Sequence, residues 1–155
     1  MKKEDRKTKL ERLLERNRLR QEEEHRNLLF EECLDALGSG AAVLGDTESQ
    51  ELERSFTEEF IITSYGRIEW DLYKGYEQLD RNALASRYAH EQEVYHLVWS
   101  HGSQPVIEAR MNRIVERLDD VTAVSPDVWI YQKNKRVIEL FHDGVIRVYD
   151  KTTEM

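Results

Sequence analysis

Cysteine, proline and long apolar runs are the residues and patterns this chain has least of. A single cysteine, Cys33, occurs in 155 residues, which excludes an internal disulfide framework and suits a reducing compartment. No run of about 18 apolar residues is present, so no membrane-spanning helix is expected. The basic N-terminus is followed by no apolar stretch and does not read as a secretory signal. Two prolines and seven glycines leave long uninterrupted stretches for helix and strand. Glycine-rich phosphate loops, His-Glu-x-x-His and Gly-x-Ser-x-Gly are all missing. A soluble cytoplasmic protein without membrane contact is the expectation.

What is present is charge. Charged residues make up 35% of the chain and apolar ones 39%, enough for one compact core with a heavily solvated surface. The net charge of −8 is unevenly spread: residues 1–20 carry nine basic and four acidic side chains, the rest fourteen and twenty-seven, a net −13. A body that acidic repels nucleic acid and attracts basic partners. The plainer reading is that the carboxylates only maintain solubility.

Met1 to about Leu37 reads as helix, free of Gly and Pro and rich in good helix formers. Glu22–Arg26 has the favourable four-residue spacing. Leu10, Leu13 and Leu14 form one apolar patch, and Leu28, Leu29, Cys33 and Leu37 another, with only Leu19 between. The second half is therefore expected to pack and the first to project as a basic arm. Such an arm suits RNA, an acidic partner or a second copy in a homodimer; a solvated helix end is the plainer reading. Cys33, among leucines, reads as a buried hydrophobe. Residues 38–155 read as a single α+β domain.

Gly38-Ser39-Gly40 ends the helix. Asp46 or Thr47 is expected to cap a second one, Thr47-x-x-Gln50 having capping-box form, with Leu52, Phe56 and Phe60 as its buried stripe. Ile68, Trp70 and Leu72 alternate with Glu69, Asp71 and Tyr73, the pattern of a strand. Leu79, Ala83 and Leu84 suggest a short helix. Val94–Trp99 could extend a helix from Leu84 or form a strand; its β-branched and aromatic residues before a His101-Gly102 break favour the strand, and Pro105 reads as the start of a helix through Leu118. Val128–Tyr131, Val137–Phe141 and Val145–Tyr149 are three short strands, the last two joined by Asp143-Gly144. The expected class is α+β: a mostly antiparallel sheet, helices packed on one face, and a long N-terminal helix.

Candidate chemistry is sparse. His25, His90, His96, His101 and His142 show no close metal spacing; only a fold-back bringing His90, His96 and His101 together would suit an enzyme. No catalytic residue, metal or cofactor is expected. A binding face is better supported. Glu69 and Asp71 lie on one face of the expected strand with Tyr73; Asp119, Asp120 and Asp127 flank Trp129 and Tyr131. Carboxylates among aromatics suit a basic protein partner, aromatics anchoring and charges steering. The alternative is that Trp70, Trp129 and Tyr131 are core, and for Trp70 that is the expectation.

From Val94 onward the chain resembles a known family. Trp99-Ser-His-Gly-Ser-Gln-Pro105, Leu118-Asp-Asp-Val-Thr-Ala-Val-Ser125, Asp127-Val-Trp-Ile-Tyr131 and Val137-Ile-Glu-Leu-Phe-His-Asp-Gly144 carry the likeness, with Gly66-Arg-Ile-Glu-Trp-Asp71 upstream. These segments resemble the immunity proteins encoded beside bacterial polymorphic toxins, contact-dependent growth inhibition systems included. The resemblance implies a non-enzymatic cytoplasmic protein that binds and neutralises a cognate toxin domain. Many such toxins are nucleases with basic clefts, which an acidic inhibitor complements. A regulatory adaptor gripping a partner through the N-terminal helix is the competing reading.

Overall fold

The computed structural model describes residues 2–100 and 104–151, and leaves aside the side chains of residues 2–4 and 26. The expected Glu22–Arg26 pair and the His101-Gly102 break therefore lie outside the described residues. The fold is α+β, with a long N-terminal helix and a seven-stranded antiparallel sheet. In chain order the elements are α1 (Lys2–Leu37), β1 (Ala42–Val43), α2 (Asp46–Glu59), a 3-10 turn (Trp70–Leu72), β2 (Glu77–Leu79), α3 (Arg81–Tyr88), β3 (Val94–Trp99) and β4 (Ile107–Arg110). There follow α4 (Met111–Glu116), α5 (Leu118–Val124), β5 (Val128–Gln132), β6 (Arg136–Leu140) and β7 (Ile146–Asp150). The strand order is β1-β4-β3-β5-β6-β7-β2. No described helix is long and apolar enough to cross a membrane.

Period-two alternation in the central strands sorts their side chains onto two cores. Leu97, Ile107, Val128, Ile130, Ile138, Leu140, Ile146 and Val148 face one way, under α1, α3, α4 and α5. Val98, Trp129, Tyr131, Val137 and Tyr149 face the other, under Phe56 and Phe60 and the segment carrying Ile68 and Trp70. Four helices thus share one face as expected. The second face has its own cover, α2 and the loop after it, because the stripe of Phe56 and Phe60 needs an aromatic surface to bury against.

The end of α1 is well held. Phe30 meets Trp99 edge-on at 5.7 Å between ring centres. Gly38 takes a φ of 88°, a conformation that favours glycine and ends a helix. The Arg113 guanidinium donates to the carbonyls of Ala36 (3.2 Å) and Leu37 (3.3 Å), which have no partner within the helix. Cys33 is fully buried here, and burial pushes its thiol pKa up to about 12.

Three local expectations are corrected. Residues 68–73 form no strand: Ile68 makes a single bridge to Ile62, and Trp70–Leu72 is a 3-10 turn. The amide of Ile68 and the Trp70 indole are drawn to a buried carboxylate instead of a ladder. The segment after Pro105 begins as strand β4, paired with β3 and β1, and turns helical only at Met111. Neither Asp46 nor Thr47 is the cap of α2. Its N-cap is Gly45, with no side-chain cap bond, so both already lie inside the helix. The short helix after Leu79 is present, capped by Asp80, whose side chain accepts from the Ala83 amide at 2.7 Å.

Candidate functional site

The aromatic face is organised by one carboxylate. Glu139 on β6 is 1% exposed and accepts four hydrogen bonds. Arg67 Nε (2.9 Å) and the Trp70 indole (2.9 Å) donate to Oε1; the Ile68 amide (2.8 Å) and the Trp129 indole (3.0 Å) donate to Oε2. A buried charge survives only when paired and hydrogen-bonded, and this one is both. Arg67 also reaches Asp143 at 3.2 Å and lies over the Phe141 ring at 4.2 Å. The segment from Gly66 to Trp70 is thereby fastened to the sheet. Buried and saturated with donors, Glu139 offers no lone pair to a substrate.

What that fastening presents outward is the candidate binding surface. Ile61 accepts from the Glu69 amide (2.8 Å), its own amide donates to the Tyr73 hydroxyl (2.9 Å), and the Leu72 amide donates to Glu69 O (3.0 Å). Residues 61, 69, 72 and 73 are thus held together. Ile61 is 59% and Leu72 58% exposed, unusual for large aliphatic side chains on an otherwise well-packed body. Asp71 is exposed and Glu69 half-buried beside them. Tyr65, at the turn closing the Ile62–Ile68 bridge, is 62% exposed.

The other expected site residues fall elsewhere. Trp129 and Tyr131 are core: Trp129 is 7% exposed, its indole engaged by Glu139 and its ring 4.5 Å from Phe56. The Tyr131 hydroxyl donates to Glu59, and burial, with that carboxylate next, raises its pKa. Asp127 is buried too, accepting from the His142 amide at 2.7 Å and facing His142 Nδ1 at 2.9 Å. Burial corrects the expected anchor role of Trp129 and Tyr131 and the expected steering role of Asp127, because period-two alternation in β5 turns the two aromatics inward and Asp127 is engaged by His142. Asp119 and Asp120 open α5, with Asp119 exposed and paired to Arg81. They belong to the helical side of the sheet, opposite Glu69, Asp71 and Tyr73, so the expected acidic residues do not form one surface. Sequence reasoning missed Ile61 and Leu72; their signal was apolar residues beside acidic ones in a segment with few packing partners.

Among the described residues the histidines form no shared cluster. His96 on β3 lies 3.9 Å from Glu108, and burial lowers its pKa more than that carboxylate raises it. His25 and His90 are exposed, and His101 lies outside the described residues. Among the described residues no three His, Cys, Asp or Glu side chains are placed to hold a metal ion.

A search of curated proteins finds no match to the chain. A family model, described as CdiI immunity protein, EcoliA0-like, matches residues 27–149. That span holds the sheet up to Tyr149 in β7, the Glu139 centre and the Ile61–Leu72 surface, and omits most of the projecting part of α1. With well over half its length matched, the chain belongs to the CdiI immunity protein family, EcoliA0-like.

Proposed function

We propose that this protein binds a cognate toxin domain through the surface formed by residues 61–73 and neutralises it by occlusion, with no catalysis of its own. The observation that carries this reading is the exposed pair Ile61 and Leu72, held beside Glu69 and Asp71 by the segment that Glu139 fastens. Apolar groups at the centre of an interface supply affinity and flanking carboxylates supply encounter rate. The body's net charge of −13 outside residues 1–20 supports a basic partner. A nuclease domain with a cleft built for phosphates fits that description, and the cytoplasm of the producing cell is where such a toxin needs blocking.

The test is binding of a cognate toxin domain, sought among the genes neighbouring this chain's own, followed by surface plasmon resonance. Leu72→Ala and Ile61→Ala are expected to cost about 2 kcal/mol of affinity each, with melting temperature unchanged. Glu69→Gln combined with Asp71→Asn is expected to slow association and to weaken its salt dependence. Wild-type affinity and kinetics in all these variants would move the binding surface elsewhere.

A further inference from the structure

The projecting part of α1 lies mostly outside the span the family model matches, and its described side chains are exposed. Side chains from Asp5 to Leu28 are exposed wherever described, among them Leu10, Leu13, Leu14, Leu19 and Leu28. The helix is charge-polarised. Residues 1–20 carry nine basic and four acidic groups, a net +5; residues 21–37 carry Glu22, Glu23, Glu24, Glu31, Glu32 and Asp35 against Arg26, a net −5. A stiff helix cannot fold its two halves onto each other. A second copy laid antiparallel brings each basic half onto an acidic half, whereas a parallel pair sets like against like.

The side-chain pattern suits the same arrangement. Leu10 and Leu28 are eighteen residues apart, five full turns at 3.6 residues per turn, so they share one side of the helix. Leu14, Asn17 and Gln21 fall between them at heptad-like spacings of four, three and four, leaving Glu24 as the one charged position in the stripe. Antiparallel alignment centred near Leu19 sets Leu10 of one copy on Leu28 of the other and Asn17 on Gln21. The stripe supplies a thin apolar seam with amides at its middle, and polar seam positions specify register at a cost in strength. Arg18 pairs within its own helix, to Glu15 and to Glu22 at 3.0 Å, which keeps the middle of α1 helical without a partner.

We propose that the exposed side chains of residues 5–32 of α1 form an interaction surface for a second copy of this chain, paired antiparallel so that opposite charges meet. The resulting dimer holds two immunity domains at opposite ends of a helical pair and leaves the Ile61–Leu72 surfaces free. It does not depend on the toxin-binding reading.

Two full-length variants test it. In one, Lys7, Lys9 and Arg16 become Glu (K7E/K9E/R16E), turning the first half from +5 to −1; in the other, E22K/E23K/E31K turns the second half from −5 to +1. Sedimentation equilibrium at low ionic strength is expected to show wild-type dimers that weaken as salt rises. Each variant alone is expected to dimerise about tenfold more weakly or worse, since repulsion replaces several pairs. Their equimolar mixture is expected to recover a heterodimer. Orientation is read by disulfide trapping: Leu10→Cys mixed with Leu28→Cys should cross-link, and Leu10→Cys alone should not, while buried Cys33 stays silent. A monomeric wild-type chain, no recovery on mixing, or cross-linking of Leu10→Cys to itself would each overturn the proposal. Far-ultraviolet circular dichroism of each variant confirms that the helix is intact.

Discussion

The two faces of the sheet are built from different chemistry. The face under α1, α3, α4 and α5 is mostly aliphatic, with Phe30, Tyr88, Tyr95 and Trp99 among its aliphatic side chains, and its packing depends chiefly on volume and area. The face under α2 is aromatic and carries polar handles, with Trp70 and Trp129 aimed at one buried carboxylate. Aliphatic packing is non-directional, so that side tolerates several helices at varied angles. The carboxylate is directional: it sets where residues 67–70 lie, and through them what Ile61 and Leu72 present to solvent. In this fold the side that determines position is also the side from which the candidate binding surface is built.

The difference should appear first in stability. Glu139→Leu leaves the Arg67 guanidinium, two indoles and the Ile68 amide without their acceptor, and should cost about 3–5 kcal/mol in urea unfolding. Glu139→Gln should fall between that variant and wild type, since it keeps the shape and one acceptor. Ile138→Ala, one residue away on the aliphatic face, should cost about 2–4 kcal/mol as a cavity, and should leave toxin affinity unchanged while Glu139→Leu lowers it. Equal losses of affinity in the two would erase the functional distinction between the faces.

Smaller effects sharpen it. Asp119→Asn with Asp120→Asn removes two charges from the helical side. Because Asp119 is exposed and its pair with Arg81 is a surface one, stability should hold within about 0.5 kcal/mol. Toxin association should slow less than in the Glu69→Gln, Asp71→Asn variant, a comparison that stopped-flow kinetics makes directly. Deleting residues 1–20 should cost about 1 kcal/mol or less, because the core contacts of α1 begin at Phe30. An insoluble product would place part of the arm in the stability of the body.

The smallest expected effect is a titration on the aromatic side. Burial depresses the pKa of His96, so the folded state disfavours its charged form. Its contribution to stability is present above the unfolded value near 6.5 and is lost as pH falls through the lower folded value. Replacing His96 with Gln should flatten that part of the stability–pH curve, leaving the high-pH limb unchanged. An unaltered acid limb would mean that other groups carry it.

The amino-acid sequence by itself determined the α+β class, the long helix ending at Gly38 and the three closing strands. Each rests on a local signal: a helix-forming run without Gly or Pro, period-two alternation, or a turn whose Gly144 takes a φ of 84°. It also determined that Cys33 and Trp70 are buried, since both sit among apolar neighbours. Val94–Trp99 leaned to strand on composition, and pairing with β4 and β5 decided it. Tertiary structure alone decided the rest. The alternation at 68–73 was real, but Glu139, some seventy residues away in the chain, drew the Ile68 amide and the Trp70 indole out of strand geometry. Residues 107–110 had a helical spacing, yet pairing with β3 and β1 made them a strand. Asp127, Trp129 and Tyr131 looked like a binding face until the sheet turned them inward, while Leu72 shared the apolar pattern of the expected strand and is exposed in the fold, beside Ile61. In each case a long-range partner fixed an outcome that spacing along the chain leaves open, because periodicity says which residues share a face and never which face meets water.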